Sequence, residues 1–353
     1  MSMVKRTIFI DPSSEHFYEN RLFDLENSFL NRDGTLLPFA RLKNHYKSKG
    51  VEVHTADYLM RNERLGDVNE YWSLGILDRY EAIRGNENVV LKGFLLLEPP
   101  LVAPKMYQCL PAISAAFEKV FVHNTIGDGY SLSGSHLEAL HSFKWPQPYA
   151  TELEPYWSNT RRSKKIVVIA GHHHPKWRKP EYYSKRIEAV AELAAINAVD
   201  LYGRGWDKPW SKQSLWFTYL VNQRQLSKVY RGGCVSKMEV LSKYEFSLCF
   251  ENTPMLGYVT EKIFDCFYAG TIPIYWGAKD IQDILPSDAY IDFSKYKDIT
   301  SLYRDIELWP DEKILLMKQA GKNFLRSQEG QKYYNSLISI FDPEESLDLV
   351  VTQ

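Results

Sequence analysis

An alternation that runs twice constrains this chain more than any other feature. Short apolar runs alternate with segments of helical spacing, stop at a proline-bearing polar stretch, and then begin again. Such a pattern predicts α/β domains built on mainly parallel sheets. In the first half, RTIFI (6–10), VEVHTAD (51–57), FLLLE (94–98) and KVFVH (119–123) read as strands. LPFARLKNHYKSKG reads as a helix ended by Gly50. The stretch FKWPQPYATELEPYWSNTRRSKK (143–165) reads as the linker.

Beyond it, KIVVIA (165–170), VDLYG, FSLCF and TIPIYW read as strands. PEYYSKRIEAVAELAAIN carries Tyr183, Ile187, Val190, Ala191 and Ala194 at helical spacing, with Pro180 at its entry. KMEVLSKY reads as a short helix. TEKIFDCFYAG reads as a helix capped by Thr260 and closed by Gly270. The tail, from PDEKILLMKQAGKNFL through YYNSLISIF, is helical in pattern. The expected organisation is an α/β domain over 1–155, a second over 156–335, and a C-terminal helix and tail over 336–353, with a cleft between the two domains.

Composition narrows the function. A chain of 353 residues is long enough for two cores. A formal net charge of −1 provides no global field for nucleic acid or an anionic membrane, so any bound anion must be held by local basic residues. Cys109, Cys234, Cys249 and Cys266 form no C-x-x-C pair and read as reduced thiols. The opening MSMVKRTIFIDPSSEH has too short an apolar stretch for a signal peptide. No apolar run approaches the ~20 residues that span a bilayer. The expected location is the cytoplasm, with peripheral attachment to a membrane face left open.

The segment FENTPMLGYVTEKIFDCFYAGTIPIYWG (250–277) gathers Glu251, Asn252, Tyr258, Thr260, Glu261 and Lys262 between a strand and a helix. In open α/β sheets ligands bind beyond the carboxyl ends of strands, where helix N-termini favour anions. Lys262, in the first turn of its helix, opposes the helix dipole, and a bound phosphate would remove that penalty. Glu261 is a candidate acceptor for sugar hydroxyls. The structural alternatives are a solvated loop for Glu261 and a loop-capping amide for Asn252. Arg186, early in the helix after KIVVIA, is a second candidate phosphate contact. Arg231 and Lys237 in YRGGCVSK (230–237) line the same pocket or form a surface turn. The run His172–His173–His174 is set aside as a metal site, because no carboxylate or cysteine stands at ligand spacing. The P-loop and dinucleotide fingerprints are absent, as is a D-x-D pair for a metal–diphosphate, so arginine and lysine must neutralise a diphosphate themselves. In the first half Glu98, held extended by Pro99, is either a general base at a strand end or a loop acid in an ion pair.

The run YEFSLCFENTPMLGYVTEKIFDCFYAGTIPIYWG resembles the signature of the bacterial branch of the α-1,3-fucosyltransferase family. LYGRGW (201–206), GVEVHTADYL (50–59) and LLEPPLVAPKMY (96–107) resemble further family segments. The resemblance implies a GT-B-type glycosyltransferase, two Rossmann-like domains facing a cleft. It implies inverting transfer of L-fucose from GDP-fucose to a GlcNAc or Glc hydroxyl, with an oligosaccharide acceptor and neither metal nor cofactor. Products of that kind belong to lipopolysaccharide, glycoprotein or Lewis-type glycans. By resemblance Glu261 contacts the donor sugar, Lys262 the diphosphate, and Asn252, Tyr258 and Arg186 the same pocket. Glu251, Arg231 and Lys237 complete the candidate donor set, and Glu98 stands where the family places its base. The motif LEPP at Glu98 and the loop GHHHPKW depart from the family pattern. The other readings kept open are a transferase of the same fold using a different nucleotide sugar, and a non-catalytic nucleotide- or glycan-binding protein.

Overall fold

In a computed structural model, residues 4–77, 79–173, 180–207 and 217–344 are described. The chain divides into two units, one of residues 1–148 and 332–353 and one of 149–331. The first carries a six-stranded parallel sheet of order β2-β1-β3-β4-β5-β6. Its strands are β1 (Arg6–Asp11), β2 (Glu52–Thr55), β3 (Val68–Ser73), β4 (Val89–Leu95), β5 (Lys119–Val122) and β6 (Leu140–Ser142). The second carries a five-stranded parallel sheet of order β11-β10-β9-β7-β8. Its strands are β7 (Ser163–Ile169), β8 (Val199–Tyr202), β9 (Tyr244–Phe250), β10 (Ile272–Trp276) and β11 (Ile291–Asp292).

Within each sheet the first strand of the unit lies between the second and the third. The direction of winding therefore reverses at β1/β3 in one unit and at β7/β9 in the other. Such a reversal leaves a crevice outside the carboxyl ends of the two strands, because their connections leave on opposite sides. This topology decides where the polar groups of the second unit gather.

Apolar residues cover both faces of each sheet, as buried parallel strands require. Ile166, Val168, Phe246, Leu248 and Ile274 join Ile187, Val190 and Leu193 from helix α1 (Tyr183–Ala195) in the second unit's core. In the first unit, Ile8, Ile10 and Trp72 pack on one face with Leu42 and Phe341. On the other face, Phe9, Tyr71 and Phe94 meet Leu110, Ile113 and Phe117.

The expected division of the chain differs from the observed one at both ends of the second unit. The stretch 143–165 is tied down rather than slack. Arg162 donates to the carbonyls of Tyr156 at 2.7 Å and Ala269 at 2.9 Å, and Leu153 N donates to Tyr268 O at 3.0 Å. These bonds bring 149 onward into the second unit. The C-terminal segment from 332 returns to the first unit instead of forming a separate tail. Phe341 stacks on Trp72 with centroids 3.8 Å apart, and Tyr46 Oη donates to Phe341 O at 2.8 Å.

Strand β3 has no counterpart in the sequence reading. Its sequence VNEYWS places an amide and a carboxylate in a central strand. Both are satisfied. Asn69 exchanges hydrogen bonds with the backbone of Gly66 and Asn88, and Glu70 accepts from Arg6 at 2.6 and 3.0 Å. Buried polar groups are tolerated on those terms.

Candidate active site

The polar cluster of the second unit stands at its winding reversal. Strand β9 ends at Phe250, and Glu251, Asn252 and Thr253 follow directly. Tyr182 N donates to Asn252 O at 2.9 Å and Thr253 Oγ1 to Pro180 O at 2.7 Å. These bonds join the loop after β9 to the chain entering α1. Arg186, one turn into α1, is thereby carried to the end of β9. Its guanidinium is buried and donates to the carbonyls of Phe250 and, at 3.2 Å, Glu251. Burial lowers its pKa, opposed by Tyr183 and Glu251. A cation whose hydrogen bonds go to neutral carbonyls keeps its positive charge at this crevice.

Helix α2 (Glu261–Ala269) begins ten residues past Glu251. Thr260 stands at its N-cap but does not bond its own helix there. Thr260 Oγ1 instead lies 2.9 and 3.0 Å from the carboxylate of Glu251, and Thr260 N donates to Glu251 Oε1 at 2.9 Å. The cap is therefore a remote, fully buried carboxylate. It places negative charge at the positive end of the helix dipole. Lys262 Nζ lies 2.9 Å from Glu251 Oε2 and 2.8 Å from Thr260 Oγ1. The dipole penalty expected for Lys262 is thus met from within the protein. Burial lowers the Lys262 pKa, but Glu251 and Glu261 outweigh it, so the net shift is upward and the ammonium stays charged.

An ammonium has three N–H donors. Glu251 and Thr260 take two of them, and Glu261 Oε1, at 3.7 Å, lies beyond hydrogen-bond distance. One donor direction remains for a third acceptor. Glu261 itself is partly exposed. Burial raises its pKa, but Lys262 and Lys237 bring it down to about 2, so it is a carboxylate at all working pH values. Such a group accepts hydrogen bonds from hydroxyls and donates none.

Lys237 joins this cluster. Its Nζ is 2.8 Å from Asp265 Oδ2 and 4.0 Å from Glu261 Oε1. Tyr258 is buried, and its hydroxyl accepts from Asn252 Nδ2 at 3.3 Å. Gly257, at φ +70°, donates its N–H to both Asp280 oxygens at 3.0 and 3.1 Å. Gly277 faces the same network: a Cβ there would stand 2.5 Å from Glu251 Cγ and 2.5 Å from Tyr275 Oη. Only glycine leaves room for Glu251 to reach Thr260 and Lys262.

Arg231 does not join the cluster through its side chain. Its guanidinium pairs with Asp200 at 2.8 and 2.7 Å, on the edge strand β8 and two residues short of that strand's end. His172 is spent in packing, stacked on Trp206 at 4.6 Å and tilted against Tyr219 at 4.2 Å. His174 and residues 208–216 lie outside the described residues. Among the described residues no cluster of three or more histidine, cysteine, aspartate or glutamate side chains fits a metal ion.

Sequence reasoning did not reach Asp265 and Asp280. Asp265 stands four residues after Glu261 on one helix face, a spacing visible in the sequence. Asp280 lies 23 residues from Gly257, and no local pattern announces that bond.

In the first unit Glu98 follows β4 by three residues and is exposed. Its backbone carbonyl accepts from Tyr107 Oη at 3.1 Å.

Two parallel α/β sheets of this kind, each with a winding reversal, have the GT-B glycosyltransferase architecture. A crystal structure of Anabaena Alr3699/HepE in complex with UDP aligns over 97% of this chain and 99% of its own, with a TM-score of 0.54. At 11% identity that likeness concerns the fold. Residues 160–317, which hold the cluster, match the model of glycosyltransferase family 10 (fucosyltransferase), C-terminal part. The fucosyltransferase resemblance of the sequence thus holds over this unit. An α-(1,3)-fucosyltransferase of Helicobacter pylori is 34% identical over 104 residues, 30% of this chain and 22% of that protein. An α-(1,4)-fucosyltransferase of Arabidopsis thaliana is 38% identical over 74 residues, 21% of this chain and 18% of that protein. The chain therefore spans less than a quarter of the length of these relatives. Among the described residues no helix is long and apolar enough to cross a membrane.

Proposed function

We propose that this chain transfers L-fucose from GDP-fucose to a hydroxyl of GlcNAc or Glc in an oligosaccharide, inverting the anomeric centre and using no metal. The observation that carries the reading is the charged Lys262 ammonium, fixed by Glu251 and Thr260 with one donor left over, at the crevice that also holds Arg186. In this reading Lys262 and Arg186 meet the diphosphate and stabilise the charge that grows on GDP as the glycosidic bond breaks. Lys237 supports that cradle through Asp265, and Glu261 accepts hydrogen bonds from the fucose hydroxyls. Asn252 and Tyr258 shape the same wall.

An inverting displacement also needs a base for the acceptor hydroxyl, and the reading gives that role to Glu98 in the first unit. Relatives named for α-1,3 and α-1,4 transfer support fucose as the sugar. Of the two linkages we propose O3. The reading places the enzyme in the cytoplasm.

A donor panel tests this reading. GDP-fucose, GDP-mannose and UDP-glucose are each incubated with lactose or N-acetyllactosamine, and release of nucleoside diphosphate is followed. Release from GDP-fucose that depends on acceptor is expected, with the product linkage assigned by NMR. Turnover of a different nucleotide sugar would transfer the assignment to that donor. Binding without turnover of any of them would leave a nucleotide-binding protein.

A further inference from the structure

We infer that His123 and Tyr107 are positioning residues that hold Glu98 in place for acceptor activation, by clamping the two consecutive carbonyls on either side of its Cα. The inference rests on the reading of Glu98 as the base.

The chain after β4 runs Leu97-Glu98-Pro99-Pro100 with both prolines buried. Proline has no N–H, so two successive residues donate nothing to fix the turn. Regular sheet pairing has already ended: the last ladder bond on this side is Leu96 N to Phe121 O at 2.9 Å. Just past Glu98 the turn is closed by Val102 N and Ala103 N donating to Pro99 O at 2.9 and 3.0 Å, and at Glu98 itself the peptide planes are set by what the two flanking carbonyls meet. Leu97 O meets His123 Nε2 at 2.9 Å, and Glu98 O meets Tyr107 Oη at 3.1 Å. A carbonyl only accepts, so His123 must carry its proton on Nε2 and Tyr107 must donate.

Both donors are themselves held. His123 follows β5 directly and is buried against Phe143 and Trp145, with centroids 5.0 and 6.2 Å away. Burial lowers its pKa to about 4 against the opposing effect of the bond to Leu97, so the ring is neutral, and that bond fixes its tautomer. Tyr107 is buried and packs on Tyr130 at 4.7 Å. Two rigid donors from different elements thus fix the peptide planes before and after an exposed carboxylate. A satisfied core histidine needs no partner arranged in this way. Here the two bonds fall on adjacent carbonyls that frame the one acid proposed to react.

The test compares four variants by steady-state kinetics with GDP-fucose and lactose or N-acetyllactosamine, alongside GDP affinity and melting temperature. Tyr107→Phe keeps the ring and removes the donor, and His123→Phe removes the donor while keeping an aromatic side chain, slightly larger than the imidazole. Each is expected to lower kcat about tenfold to a hundredfold, the scale set by small misplacements of a reacting group. KM for GDP-fucose and GDP affinity should not move. His123→Gln, which restores an N–H donor, should recover most of the lost kcat. Glu98→Gln is run in parallel. If it is inactive while His123→Phe and Tyr107→Phe keep the full kcat per folded molecule, the base stands and the clamp is overturned. If Glu98→Gln transfers normally, the base assignment fails and takes the clamp with it. Where His123→Phe does not fold, Tyr107→Phe, which loses a single hydroxyl, decides the matter.

Discussion

Lys262→Ala is expected to weaken GDP binding by about 2–3 kcal/mol, the scale of a hydrogen bond to a charged group. That is roughly a 30- to 150-fold loss of affinity. The loss should appear equally for GDP and GDP-fucose, because the proposed contact is to the diphosphate. A second effect follows from the geometry. Glu251 is fully buried and has Lys262 as its cation at 2.9 Å. Removing one partner of a buried pair leaves the other charge uncompensated, at a cost of about 3–5 kcal/mol. Thr260 still satisfies part of the carboxylate through its N–H and hydroxyl, so the lower end of that range is expected. Lys262→Ala should therefore melt lower as well as bind GDP more weakly. Double replacement with Glu251→Gln separates the two effects. It should restore much of the stability and none of the affinity. Full GDP affinity in Lys262→Ala would remove this side chain from the cradle.

Glu98→Gln is expected to lower transfer by about 10²- to 10⁴-fold, the usual contribution of a positioned base. The substitution keeps length and shape. It leaves the bond from Tyr107 intact, because that bond goes to the backbone carbonyl. The side chain is exposed, so the fold should be unaffected. GDP affinity should also be unchanged, since the cluster proposed to hold the donor belongs to the other unit. Calorimetry with GDP and a rate assay with acceptor together give the answer. Retained transfer would leave the base unassigned while the donor site stood.

Much of this architecture was legible because parallel strands buried on both faces read as apolar runs. FSLCF, KIVVIA and TIPIYW mark β9, β7 and β10 within one or two residues. Gly50 and Gly270 end their helices at φ +72° and +68°, as the sequence suggested. Three strands escaped: β6 and β11, of only three and two residues, and β3, which carries Asn69 and Glu70, whose partners Arg6 and Asn88 are far away in the chain. Long-range pairing of that kind leaves no periodic trace.

The site shows the same limit. The position of the polar segment at a strand's carboxyl end, and the prominence of Lys262, came from local pattern. That Thr260 serves Glu251 rather than its own helix did not, because a hydroxyl at an N-cap looks the same either way. Arg231 and Lys237 stand six residues apart in one basic stretch, yet Asp200 holds the first on an edge strand while Asp265 draws the second to the crevice. Charge alone did not distinguish them, since the acid that captures each lies about 30 residues away along the chain. The C-terminal return to the first unit rests on Trp72 and Tyr46, and the helical pattern of the tail carries no record of its destination.

The central claim is that positively charged side chains at the β7/β9 crevice seat a nucleoside diphosphate without a divalent ion. Isothermal titration of GDP into the protein in excess EDTA tests it most directly. The account predicts saturable one-to-one binding that is unchanged when magnesium or manganese replaces the chelator. Absence of heat in EDTA, with binding restored by the metal, would contradict it.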